Sequence, residues 1–138
     1  MRLSVFSPES SSQLFIDLQK LYQDYFSEQQ LTTASLENLI HTPNKQFFVT
    51  LFNARHLGAV EVESKGNIAH LHLLCIRDIT RRRGVGKNLL REVEKHMKGI
   101  DTIELSLSEI EESEQEGMKL FMQACGYQLV ENKLIKRL

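Results

Sequence analysis

Between Thr80 and Lys87 the chain reads TRRRGVGK, three arginines running into two glycines and a lysine. An amphipathic segment carrying Leu89, Leu90, Val93 and Met97 at helical spacing follows at once. The first backbone N–H groups of a helix have no partner within it. They point outward with the positive end of the helix dipole. Glycine allows positive φ and lets an anion approach the backbone closely. Together these features suit the holding of a phosphate or pyrophosphate. The pattern, Arg81-x-x-Gly84-x-Gly86, is neither the G-x-x-x-x-G-K-[ST] phosphate loop nor the G-x-G-x-x-G dinucleotide turn. The plainer alternative is a basic loop capping a helix, with its arginines in solvent.

Other reactive residues are sparse. Glu61 and Glu63 alternate in one strand-like run, and His70 and His72 share one face of the next. Both pairs read as solvent-facing strand residues. Cys75 and Cys125 sit in apolar runs and read as small core residues with free thiols, which suits a reducing compartment. No metal site is expected.

The composition limits the partners. The 138 residues include 17 Lys+Arg against 18 Asp+Glu, for a net charge of −1. That balance argues against general polyanion binding, so an anion site has to be local. A nucleic-acid binder would also need a wider basic face and interleaved aromatics. The N-terminal MRLSVFSPESSS has too short an apolar stretch for a signal peptide, and Pro8 interrupts it. No apolar run approaches the roughly 18 residues that span a bilayer. A cytoplasmic protein without membrane contact, folded as one domain over 1–138, is expected.

The elements that must position the loop can be read in order. Residues 2–6 alternate as a short strand. The serines at 10–12 start a helix in which Leu14, Phe15, Leu18, Leu21, Tyr22, Tyr25 and Phe26 recur. Thr33 or Ser35 caps a second short helix, which ends at Pro43-Asn44. Three strand-like runs, Gln46–Phe52, Leu57–Glu63 and Ile68–Ile76, are separated by turn-forming segments and make a meander. The helix after Gly86 is expected to stop at Gly99. Thr102–Leu107 reads as a strand, 113–125 as a helix ended by Gly126, and Tyr127–Val130 with Lys133–Ile135 as a terminal strand or hairpin. This is an α/β (α+β) domain with a mixed sheet.

On these residues and this order, the chain resembles the GNAT acyl-CoA N-acyltransferase superfamily. Arg81-x-x-Gly84-x-Gly86 with Lys87, Leu89 and Leu90 resembles its coenzyme A pyrophosphate loop. Cys125-Gly126-Tyr127 resembles the ending of its last helix. The resemblance implies a mixed, mostly antiparallel sheet flanked by helices, with splayed central strands. The pantetheine arm would lie between Leu74-Cys75-Ile76 and Thr102–Leu107. Many members place a tyrosine four residues before the final glycine, to protonate the departing thiolate. That position here is Met122, preceded by Phe121. A thioether has no proton to give, and losing a general acid forfeits a factor of about 10² to 10⁴. A catalytic base is not marked out either: Glu61, Glu63, His70 and His72 read as solvent-facing, Tyr127 or a bound water could serve, and no catalytic residue is assigned.

A narrower resemblance is to the GNAT-fold maturation factors of aspartate 1-decarboxylase, the PanZ/PanM family. It rests on Ile16-Asp17-Leu18-Gln19-Lys20, Leu51-Phe52-Asn53, Ile79 through Gly86, and Phe121-Met122-Gln123-Ala124 with Gly126. It implies a regulator that binds acetyl-CoA or CoA. It would then bind the decarboxylase zymogen, promote its self-cleavage to the pyruvoyl form, and restrain the mature enzyme. β-Alanine, pantothenate and CoA supply would be controlled in this way. The family's coenzyme site falls on Leu74, Cys75, Ile76, on Thr80, Arg81, Arg82, Arg83, Gly84, Val85, Gly86 and Lys87, and on Ser113, Glu114, Gln115 and Glu116. Asn53 would be a partner contact. Ser108–Glu116 is more acidic than this resemblance leads one to expect, so its side chains would need to turn away from phosphates. The alternative function is an N-acetyltransferase acting on a small amine or a protein N-terminus.

Overall fold

The computed structural model describes residues 2–77 and 84–138, so Thr80, Arg81, Arg82 and Arg83 lie outside the described residues. The expected meander forms from β2 (Lys45–Phe52), β3 (Arg55–Lys65) and β4 (Ile68–Ile76), paired antiparallel. Asn53 and Ala54 alone make the first turn, with φ of 49° and 62°. Positive φ at both central residues is the two-residue hairpin geometry that matches strand twist, and asparagine tolerates it well. Arg55 and His56, expected in the turn, already belong to β3.

β1 (Ser4–Phe6) lies on the outer edge of β2. β5 (Thr102–Ser106) joins β4 in parallel, and the terminal hairpin of β6 (Gln128–Val130) and β7 (Lys133–Arg137) completes the sheet. The strand order is β1-β2-β3-β4-β5-β7-β6. It is the last strand in sequence, not β6, that pairs with β5.

Helices cover both faces. Phe47 and Val49 of β2 point to one side with Ala59 and Cys75, beneath α1 (Ser12–Leu21) and α2 (Thr33–Ile40). Leu14, Leu18, Leu21 and Leu36 complete that core. Phe48 points to the other side with Val60, Val62, Leu71, Ile103 and Leu134, beneath α3 (Val85–Lys95) and α4 (Glu112–Ala124). Alternate residues of one strand thus feed two separate cores, as the period of a strand requires.

Helix ends depart from expectation where tertiary contacts intervene. Ser11 caps α1 by accepting from Leu14 N at 3.1 Å, as the serine run suggested. The helix stops at Leu21, and Tyr25 and Phe26 fall in the turn beyond it. Tyr22 is drawn under the sheet and stacks on Phe26 at 4.6 Å. The cap of α2 is Thr32, whose Oγ1 accepts from Ser35 N at 3.2 Å. α3 ends at Lys95 rather than at Gly99; His96 N turns back to Val93 O at 2.9 Å. Gly99, with φ of 71°, serves the later turn into β5.

Candidate functional site

The centre of the sheet is split. β4 and β5 pair only through Ile68↔Thr102, Ala69↔Ile103 and His70↔Glu104. Beyond His70, the edge of β4 has no ladder partner on β5. A backbone edge without strand partners needs other hydrogen-bonding groups, from protein, water or ligand.

A bulge in β4 lies just past that point. Glu61 pairs with His72 and Ala59 with Cys75, so Val60 faces both Leu73 and Leu74. Leu73 takes the left-handed conformation, with φ of 57°. For leucine this costs about 1–3 kcal/mol. Tyr22, fully buried, donates from its hydroxyl to Leu73 O at 2.6 Å. The extra residue resets the alternation. Ala69 and Leu71 face the α3/α4 core before the bulge and Leu74 does so after it, while Cys75 faces α1. Cys75 Sγ donates to Leu21 O at 2.9 Å. The alternation of His70 and His72 gave no sign of this break.

The split opens into a cavity of about 470 Å³. Leu74, Cys75 and Ile76 line it from β4, Leu105 and Ser106 from β5, and Phe121 from α4. Gly86 lines it from the first turn of α3. A Cβ on Gly86 would stand 2.6 Å from Phe121 Cζ, so only glycine lets this turn approach α4 so closely. Gly84 caps α3 with φ of 75° and no side-chain hydrogen bond. Among the described residues, the first helical bond there is Asn88 N to Gly84 O at 3.0 Å. The amides that open a helix have no acceptor within it. Of the other loop residues, Val85 is buried in the core and Lys87 is exposed.

The four residues at the start of α4 diverge. Glu114 lines the cavity. Gln115 faces inward, donating from Nε2 to Leu107 O at 3.0 Å and Ile110 O at 2.9 Å. Its amide therefore braces the 3₁₀ turn Leu107–Glu109 rather than facing solvent. Ser113 and Glu116 are exposed, and Glu116 pairs with Lys119 at 3.0 Å. The acidic stretch therefore does not turn away as a whole: Glu109, Glu111 and Glu114 line the cavity, and Glu112 and Glu116 do not.

No acid stands where the resemblance would place one. Met122 is fully buried in the α3/α4 core. Tyr127, a group that could serve on the sequence reading, is 2 % exposed and donates to Glu94 Oε2 at 2.9 Å. Burial, with the adjacent Glu94 carboxylate, pushes its hydroxyl well above the ordinary tyrosine value. It is a brace between α3 and the chain after α4. Glu61, read from sequence as solvent-facing, is buried and meets Lys45 at 3.6 Å. Glu63 lies closer to solvent, and its hydrogen bond to His72 holds its carboxyl below the ordinary range.

A second groove, of about 560 Å³, adjoins the cavity at Cys75 and Ile76. Its wall includes Asp17, which is 3 % exposed. Asp17 accepts from His56 N at 2.8 Å, His56 Nδ1 at 2.8 Å, Arg55 Nε at 3.1 Å and Gln13 Nε2 at 2.9 Å. Burial opposes its charge, but these bonds prevail and hold its carboxyl below the ordinary aspartate value. They fasten the Asn53-Ala54 turn to α1. Asn53 itself lines neither cavity. Among the described residues, no helix is long and apolar enough to cross a membrane.

Comparison with known proteins agrees with this geometry. Residues 3–134 match the family model described as the acetyltransferase (GNAT) domain, PanZ. A PanD regulatory factor from Escherichia coli (strain K12) is 34% identical over 128 residues, 92% of each chain. One from Salmonella typhimurium (strain LT2) is 32% identical over the same share. Among solved structures, E. coli YhhK, determined in solution bound to coenzyme A, superposes with a TM-score of 0.77 at 31% identity over the whole of both chains. An aminoglycoside 6'-N-acetyltransferase complexed with coenzyme A gives a TM-score of 0.75 at 17% identity, covering 99% of this chain and 97% of that one; at that identity the likeness is one of fold.

Proposed function

This chain belongs to the PanZ family of GNAT domains, and from that premise we propose that it is a coenzyme A-dependent regulator of aspartate 1-decarboxylase. In this reading it binds acetyl-CoA or CoA in the split between β4 and β5. It then engages the decarboxylase zymogen and promotes its self-cleavage to the pyruvoyl form. The relatives named PanD regulatory factors support the partner, and the CoA-bound neighbours support the ligand.

The observation that carries the reading is the ending of the β4–β5 ladder at His70↔Glu104, beside a cavity that reaches the first turn of α3. The stretch of β4 beyond the ladder with β5, at Leu74, Cys75 and Ile76, lines the cavity and would present backbone groups to an amide-bearing arm. The turn from Gly84 to Lys87 would offer the first amides of α3 and a lysine to the diphosphate. Arg81, Arg82 and Arg83 would supply further cations, and Thr80 a hydroxyl. Glu114 and the exposed Ser113 and Glu116 would border the same ligand, and Gln115 would hold the turn beside it.

Regulation of this kind needs no acetyl transfer. Cleavage by N→O acyl shift requires a peptide turned toward its attacking hydroxyl. A partner that binds that conformation better than the resting one raises its population. If the ligand completes the docking surface, cleavage follows coenzyme level. The buried thioether of Met122 fits a role without a general acid. Asn53, on a turn that Asp17 holds in place, would contact the partner.

The test mixes the protein with uncleaved decarboxylase, with and without acetyl-CoA. Faster appearance of the two fragments only when both are present is expected. An unchanged cleavage rate, with thiol released in the presence of an amine, would instead establish the acetyltransferase alternative.

A further inference from the structure

His72 is the last residue of β4 before the bulge, two places beyond the end of the β4–β5 ladder. Both of its ring nitrogens are engaged. Nε2 lies 3.1 Å from Glu63 Oε1 on β3, and Nδ1 lies 2.6 Å from Glu109 Oε1 in the 3₁₀ turn after β5. An ionised carboxylate only accepts, so each nitrogen has to carry a hydrogen for both contacts to hold. The neutral ring has one N–H and has to release one carboxylate. Glu109 also lines the cavity. The His72–Glu109 bond therefore crosses the split where backbone pairing has stopped.

The other charged groups around the ring are few. Glu61 is its cross-strand neighbour on β3, and His70 stacks beside it at 6.4 Å. Behind them, Lys45 meets Glu61 at 3.6 Å and Lys65 meets Glu63 at 3.9 Å. On β5, Glu104 is shared by His70 at 3.1 Å and Lys133 at 3.2 Å. Among the described residues, it is Glu109 that reaches the His72 ring itself from the far side of the split.

We propose that His72 is a positioning residue, a protonation-dependent strap that ties the turn after β5 to β4 and sets how far the two strands part. With both N–H groups present, the turn is held and the cavity is formed before ligand arrives. With one proton lost, the ring can donate to only one of the two carboxylates, so the turn is held in only part of the molecules and binding has to order it in the rest. As a statement about coenzyme affinity, this rests on the reading of the cavity given above.

The test has two arms. Calorimetric affinity for CoA is measured between about pH 6 and pH 8 for the wild type, His72→Gln and Glu109→Gln. Titration of the ligand's own phosphates is common to all three. Wild-type affinity should fall about three- to fivefold more over this range than that of either variant. In the second arm, hydrogen exchange is followed without ligand at Ile110, whose N–H bonds to Leu107 O at 3.0 Å. After correction for intrinsic rates, its protection should fall with pH in the wild type and be low and flat in Glu109→Gln. Binding with parallel pH profiles and equal Ile110 protection overturns the strap and leaves the coenzyme reading standing. Absence of binding by all three proteins overturns the coenzyme reading, and Ile110 protection alone then decides the strap.

Discussion

The hydroxyl of Tyr22 donates to the carbonyl oxygen of Leu73 across 2.6 Å, joining the end of α1 to the one left-handed residue of β4. The bond holds a bulge that the strand would otherwise lose by returning to regular alternation. Tyr22→Phe keeps the ring and its stacking on Phe26 but leaves the carbonyl unpaired. The expected loss is about 1–3 kcal/mol of stability, read from urea unfolding. CoA affinity should fall as well, because Leu73 and Leu74 line the cavity. Unchanged stability would show that the bulge needs no support from α1.

Gly86 controls the width of the cavity mouth. In Gly86→Ala the new methyl meets the Phe121 ring at 2.6 Å, and the ring has to shift away from α3. Overpacking of this kind costs about 1–3 kcal/mol. CoA affinity should drop about tenfold or more, a loss of roughly the same size in free energy. Calorimetry on the folded variant measures it.

Gly84 separates conformation from space. Nothing lies within 4 Å of a Cβ built there, but φ is 75°. Gly84→Val should therefore strain the turn by about 1–3 kcal/mol without a clash. The domain stays folded and CoA binding weakens. Unaltered affinity would remove the start of α3 from the site.

Asp17 makes stability depend on acid. Its native value is lowered, so its contribution is complete above the ordinary value of 3.8 and is lost as pH falls through the lowered native value. Asp17→Ala leaves the N–H of His56 and the guanidinium of Arg55 without their acceptor, at a cost of about 1–3 kcal/mol near neutral pH. The difference between variant and wild type should shrink as the pH drops below that range. If Asn53 docks the partner, Asp17→Ala should also slow decarboxylase cleavage at pH 7, since the turn loses its anchor.

The two cysteines provide a footprint. Cys75 lines the cavity, whereas Cys125 lies at the end of α4 outside it. Burial raises the Cys125 thiol above its ordinary value, so this residue too should react slowly. CoA should slow alkylation of Cys75 and leave Cys125 unaffected, as read by peptide mass. Equal protection of both would place the ligand elsewhere.

Local pattern alone carried the meander, the four helices and the glycine turn opening α3. Alternation in Phe47–Val49, the 3.6-residue period of Leu89, Leu90 and Val93, and the serine cap at Ser11 are properties of neighbouring residues, and sequence preserves them. What the sequence could not supply depends on residues far apart in the chain. Leu73 is an ordinary leucine in an ordinary run, and its left-handed backbone exists because Tyr22, 51 residues earlier, meets its carbonyl. Glu109 and His72, 37 residues apart, meet only because β5 is laid parallel to β4 and then parts from it. Tyr127 reads from sequence as a group that could serve catalysis, and only the packing sets it against Glu94, 33 residues earlier. Periodicity decides which face a residue takes. Which groups share that face, and at what protonation cost, is set by long-range packing that no local pattern encodes.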